Sequence, residues 1–363
     1  MISREWPLIP VYGTAAAFFI LDRPLLGDLA NPAWLAFVMA WLFGAMMLSA
    51  FAVVRHSECL AEIFGEPYGT LILTFAITAI EVMMIAAVML NGPAVSTTAR
   101  DTMFAVVMIV FNGMAGLTLL VGGLRYHEQT YNLQGANAFL AVILPLAVLG
   151  LVLPNFTSAP EGTLSVPHEI FLIFMSAALY AIFLAIQTLR HRHYFLDADE
   201  ADAMPEHAAA IDVRPAAYHG VLLVLYIVPI VLLSKKIAVP IDHGVSVLGA
   251  PAALVGFLVA VLIMSPESLT AMRATLANQM QRSINLLLGS VLASISLTIP
   301  AVLAIGLLTD RTVVLGLPTV DALLLLLTLA MGTLTYASGR TNILQGAVHL
   351  LLFCAYIVLI FDR

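Results

Sequence analysis

Eleven apolar runs dominate the chain, bounded by charged residues and Gly/Pro clusters. They lie near 8–21, 33–54, 68–90, 102–124, 136–154, 168–188, 216–234, 247–268, 284–308, 319–337 and 342–361. Each is long enough to be helical, and a bilayer-crossing helix needs about 20 predominantly apolar residues. None shows the ten-residue apolar/polar alternation of a membrane barrel. The pattern predicts an all-α integral membrane protein with about eleven transmembrane helices. The first run is short. Arg4 beside Glu5 makes a poor signal-peptide n-region, and no small-residue cleavage site precedes Arg23, so this run reads as a retained helix.

The single long polar interruption, residues 191–215, carries Asp197, Asp199, Glu200, Asp202, Glu206 and Asp212. It reads as a solvated linker or as a regulatory, cation-sensing element. The expected organisation is a leading helix and loop (1–31), a five-helix repeat (32–190), the acidic linker (191–215) and a second five-helix repeat (216–363). Because five is odd, homologous halves would insert in opposite directions, the inverted-repeat plan of many secondary transporters. Alternate loops divide the fifteen Lys and Arg residues nine to six. The richer set shares the side of the N-terminus, so the N-terminus and linker are expected to be cytoplasmic. The bacterial cytoplasmic (inner) membrane is the expected location.

Composition agrees. Of 363 residues, 61% are apolar and 10% charged, and mean hydropathy is +1.02. Soluble domains carry roughly 25% charged residues. Cys59 and Cys354 lie far apart in sequence, which argues against a disulfide scaffold or a Cys-rich metal site. The net charge of −7 comes largely from the linker, and no basic patch for nucleic acid exists. The expected partners are membrane lipid and small inorganic cations, with no cofactor.

Acidic residues inside the apolar runs narrow the function. Glu81 sits in FAITAIEVMMIAAVML and Glu267 in FLVAVLIMSPESL, each in the second helix of its half. A carboxylate at bilayer depth is costly unless paired, protonated or facing a wet cavity, so such residues are functional candidates; the alternative is a protonated structural acid. Aligning Arg100 with Arg282 places Asn112 opposite Ser294 in the following helices. Thr74, Thr78 and Glu81 share one helix face, as do Ser290, Ser294 and Thr298. Gly289 and Ser290 form a small-residue patch that permits close helix approach. Pro266 removes the N–H that the carbonyl one turn earlier would accept. Carboxylates, hydroxyls, a carboxamide and carbonyls make an all-oxygen donor set, suited to hard cations such as calcium or sodium. Burial raises a carboxyl's pKa and a bound cation lowers it, so cation and protons would compete for Glu81 and Glu267.

Several stretches resemble one family. FAVVRHSECLAEIFGEPYGTLILTFAITAIEVMMI, VGGLRYHEQTYN, VGFLVAVLIMSPESLTAMRATLANQMQRSINLLLGSVLASISLTIP and SGRTNILQG are similar to segments of the cation/proton exchangers of the calcium:cation antiporter superfamily, and most closely to ChaA-type calcium/proton antiporters. The resemblance implies exchange of calcium for protons by alternating access, with Glu81 and Glu267 as the cation- and proton-binding residues and Thr78, Asn112, Ser290 and Ser294 in support. The broader family has Gly-Asn-Ala before each glutamate, whereas this chain has Ile77, Thr78, Ala79 and Ile263, Met264, Ser265. That loss of carboxamides brings sodium or potassium exchange forward as the alternative. A membrane-embedded enzyme is disfavoured, since Ser290 has no evident His base. A channel is disfavoured because the chain carries two halves of its own.

Glu66, before the third run, reads as a cation-attracting mouth residue or a surface acid. Arg100 and Arg282 read as interfacial helix ends, with gating as the alternative. His349 reads as a neutral packing histidine and His56 as a candidate pH sensor. His191, His193 and His207 read as solvated linker residues rather than a metal site.

Overall fold

A backbone surrounded by hydrocarbon must satisfy its own N–H and C=O groups, and the apolar runs accordingly form helices. The computed structural model describes residues 5–65, 68–91, 95–160, 162–196 and 214–362. In chain order, apart from one short turn at Asp22–Leu26, the helices are α1 (Leu8–Ile20), α2 (Pro32–Phe64), α3 (Tyr68–Asn91), α4 (Thr98–Tyr126), α5 (Leu133–Phe156) and α6 (Val166–Arg190). They continue with α7 (Ala216–Ser246), α8 (Ala253–Leu276), α9 (Met280–Thr309), α10 (Thr319–Thr335) and α11 (Ile343–Phe361). Among the described residues, nine of these are long and apolar enough to cross a membrane, and α1 and α10 are shorter apolar helices. Every apolar run of the sequence is thus a helix.

The helix ends differ from the ends of the runs. α2 has 33 residues, about 50 Å at 1.5 Å per residue, against a hydrocarbon core of about 30 Å. Its last turns, RHSECLAEIF, lie beyond the apolar run, so Arg55 is a helical residue and not a loop residue. α7 similarly carries Lys235 and Lys236 within the helix, and Lys236 Nζ lies 2.8 Å from Asp22 Oδ1. α8 starts and ends later than its run, reaching Leu276. Hydropathy marks where hydrocarbon ends. Caps mark where helices begin and end: Asn31 accepts from Ala33 N at 2.9 Å, and Asn342 and Gln345 close a capping box.

α4, α5, α6 and α9 each contain a π-helical segment, at Met108–Met114, Val148–Val152, Ile186–Arg190 and Ser294–Thr298. Such segments are rare and recur at functional sites.

The chain forms two compact units, each drawing on both halves of the sequence. The first comprises Met1–Ala94 and Ala210–Pro266. In its core Phe18 meets Trp41 edge-on, Trp41 Nε1 donates to Thr14 Oγ1 at 2.9 Å, and Ser49 Oγ donates to the Tyr226 carbonyl at 2.7 Å.

The second comprises Val95–Ala209 and Glu267–Arg363. Its loops gather in two sets. In one, β1 (Val95–Ser96) pairs in parallel with β2 (Thr312–Val313), and Leu315 N donates to the Gly162 carbonyl at 2.8 Å. In the other, Thr130 bridges Arg340, and Gln129 Nε2 donates to the Thr275 carbonyl at 3.2 Å. That second set also holds Asn285, whose Nδ2 donates to the Phe195 carbonyl at 2.6 Å. Along α3 to α6 and again along α8 to α11, successive connections alternate between the sets, as they must if each helix crosses once. Outward-facing Phe174, Leu308, Leu344 and Val358 are exposed, which suits lipid rather than water.

The beginning of the expected linker is docked. Phe195 is buried, with ring centroids 5.4 Å from Phe139 and 5.8 Å from Phe183. His191 and His193 pack against the Tyr194 ring. The six acidic linker residues and His207 lie outside the described residues, as does Glu66.

Candidate cation site

Glu81 belongs to the first unit, on α3, and is 1% exposed. Thr78 precedes it by three residues and is also buried, its Oγ1 without a hydrogen-bond partner among the described residues. Ile77, Ile80, Met84 and Ile85 are buried around them in sequence. A carboxyl and a hydroxyl therefore share one stretch of an otherwise apolar helix, both removed from solvent.

Glu267 belongs to the second unit, on α8 directly after Pro266. The Ser290 hydroxyl of α9 is hydrogen-bonded to Glu267 Oε2 and also lies 2.7 Å from the Leu286 carbonyl. Ser290 has one O–H. When that hydrogen is given to Leu286, only a protonated Glu267 can complete the other contact, by donating its own. When Glu267 is ionised, the hydroxyl must turn to it. The pair thus accommodates both protonation states with one hydroxyl rotation. Ser294, one turn further along α9, opens the π segment, which takes Thr298 out of the α-helical register expected for it. Gly289 does not mark a tight crossing, since a Cβ there would meet Phe139 at an ordinary 3.7 Å.

Asn112 lies in the π segment of α4, fully buried. Its Nδ2 is 2.7 Å from Thr328 Oγ1 of α10, and its Oδ1 is 2.9 Å from His349 Nδ1 of α11. The sequence pairing of Asn112 with Ser294 thus puts both in π segments of corresponding helices. Thr328 escaped the sequence reading, although a lone hydroxyl within DALLLLLTLAM was a visible signal.

Arg100 is clamped at the start of α4: its Nε donates to Asp101 at 2.8 Å and its Nη1 to the Gly316 carbonyl at 3.1 Å. Arg282 is exposed in the first turn of α9. Both are helix-end residues. His56 is buried in the first unit, its Nδ1 3.0 Å from His219 Nδ1. His219 had no sequence signal beyond a His in the opening turn of α7.

Residues 33–189 and 218–361 match the family described as sodium/calcium exchanger protein. The chain is 42% identical over 354 residues to the putative ionic transporter y4hA of Sinorhizobium fredii (strain NBRC 101917 / NGR234), covering 97% of this chain and 94% of that protein. It is 38% identical over 318 residues to the sodium-potassium/proton antiporter ChaA of Escherichia coli (strain K12), covering 87% and 86%. The crystal structure of the selenium-substituted Ca2+/H+ antiporter protein YfkE superposes with a TM-score of 0.73 at 15% identity, covering 98% of this chain and 99% of that one. That likeness is one of fold.

Proposed function

The chain belongs to the sodium/calcium exchanger protein family, and from that premise we propose that it exchanges sodium or potassium for protons at Glu81 and Glu267. It is a multi-pass membrane ion antiporter rather than an enzyme. The observation that carries the site is the burial of Glu81 in mid-helix, matched by a second carboxyl, Glu267, hydrogen-bonded to Ser290. A buried carboxyl is held neutral by a proton or ionised by a cation, and the two compete for it. Alternating access then converts competition into exchange.

Two observations favour a monovalent cargo. The positions preceding the glutamates lack the family's asparagines, which removes two oxygens from a calcium shell that takes six to eight. A relative 38% identical carries a sodium-potassium/proton name. Calcium for protons is the second reading, favoured by the two carboxyls, whose combined release of two protons would balance one divalent ion.

Purified protein in liposomes with an imposed pH gradient tests this. Sodium, potassium and calcium are added separately, and collapse of the gradient is followed with a pH-sensitive dye. Glu81→Gln and Glu267→Gln should each reduce exchange by at least about a hundredfold, the scale of losing one charged ligand worth roughly 3 kcal/mol. Full exchange in both variants would remove the glutamates from the site. Absence of flux for all three ions, in folded wild-type protein, would overturn the antiporter itself.

A further inference from the structure

His349 is wholly buried in α11, within a membrane span. It stands three residues after Gly346, where α11 and α4 approach closely: a Cβ on Gly346 would lie 2.4 Å from Leu120 N, and one on Gly116 would lie 3.0 Å from His349 Cβ. This approach brings the ring to Asn112. Asn112 Nδ2 donates to Thr328 Oγ1 at 2.7 Å, which orients the carboxamide with its oxygen toward His349. With the amide so placed, His349 Nδ1 must carry the hydrogen that meets Oδ1 at 2.9 Å. Nε2 then accepts from the Thr335 hydroxyl, also at 2.9 Å. Each polar atom of the ring and of the carboxamide has a partner. The ring and the amide are each held from both sides.

An amide oxygen has two lone pairs, and His349 occupies one. The other is left as an acceptor position fixed in direction, in a π segment of a helix corresponding to that of Ser294. We propose that His349 is a positioning residue for the cation site, locking the Asn112 carboxamide and thereby setting the affinity for the transported cation. This rests on the reading of Asn112 as a supporting ligand.

The test is a double-mutant cycle on the purified protein in liposomes, with apparent KM and kcat for sodium, potassium and calcium measured separately. His349→Leu should raise KM about tenfold, the value of one net hydrogen bond near 1.4 kcal/mol, with kcat changed by no more than about threefold. His349→Gln keeps a donor and an acceptor and should restore KM to within about threefold of wild type. Asn112→Ala should raise KM comparably, and adding His349→Leu to it should raise KM no further. If His349→Leu fails to fold, His349→Asn, too short to span both partners, takes its place with the same expectation. Unchanged KM in His349→Leu, or additive effects in the cycle, overturns the proposal. If Asn112→Ala itself leaves KM unchanged while wild type exchanges, the ligand reading fails instead.

Discussion

Glu5 lies outside the membrane spans, yet only 11% of its side chain is exposed. Arg55 Nη2 donates to its Oε2 at 2.6 Å, the Tyr226 hydroxyl donates to the same atom at 3.0 Å, and Tyr218 donates to Oε1 at 3.2 Å. Burial pushes the carboxyl up, but Arg55, the Tyr226 hydrogen bond and His56 together outweigh it and hold Glu5 below its ordinary value. A carboxyl depressed in the folded state stabilises above its unfolded pKa and loses that contribution as pH falls through the folded value. The contribution is therefore complete at neutral pH and fades below 4.5. Glu5→Gln should lower the melting temperature in detergent at pH 7 by a few degrees, the equivalent of about 1–2 kcal/mol. The difference between variant and wild type should shrink on acidification below 4.5, and a constant difference would refute the ionised assignment. Nothing in the sequence announced this cluster, because its members are up to 221 residues apart. Glu81 and Glu267 were legible for the opposite reason: an acid inside an apolar helix is conspicuous from its immediate neighbours alone. Ser290 was legible only as a hydroxyl on the next helix; that it meets Glu267 depends on how two helices pack, which no local pattern states.

At the level of elements, hydropathy located every long helix but not its ends, since α2 and α7 run on past the apolar stretch until caps and glycines stop them. Close packing was less legible still. Gly289 looked like a crossing point and is not one, while Gly116 and Gly346, which are, carried no such mark in the sequence. A glycine's role depends on what faces it. A Cβ on Gly346 would meet backbone atoms, Leu120 N at 2.4 Å and the Gly116 carbonyl at 2.8 Å, which cannot rotate away. Gly346→Ala should therefore separate α4 from α11 at a cost of about 1–3 kcal/mol. Because His349 rides on the same turn, that variant should also weaken cation binding. Gly44, on the exposed face of α2, has nothing within 4 Å of such a Cβ. Gly44→Ala should be neutral or stabilising by up to about 1 kcal/mol, the helix-propensity gain. Melting curves of both in one detergent decide the matter; equal effects would mean that helix propensity, not the crossing, governs Gly346.

The whole molecule must also be placed in a membrane, and here the loop pairing of the second unit and the distribution of Lys and Arg make independent statements. The pairing sorts the connections into two sets. One holds the α3–α4, α5–α6 and α9–α10 connections; the other holds α4–α5, α8–α9 and α10–α11. On charge the second set is expected to be cytoplasmic, because Arg125, Arg273, Arg282 and Arg340 flank it while Arg100 and Arg311 flank the first. With Cys59 and Cys354 replaced by serine, single cysteines at exposed positions in or next to the loops can report the side. Ser158→Cys and Thr309→Cys should react with a membrane-impermeant maleimide on intact cells. Glu128→Cys and Ala277→Cys should react only after the membrane is opened. If the two groups hold together but exchange sides, the pairing stands and the orientation taken from charge is wrong. If either group splits, a helix between its members does not cross, and the alternation required for two five-helix halves of opposite direction fails. The inverted arrangement depends on that parity more than on any sequence likeness between the halves, because a single missing crossing would return Glu81 and Glu267 to helices of the same direction.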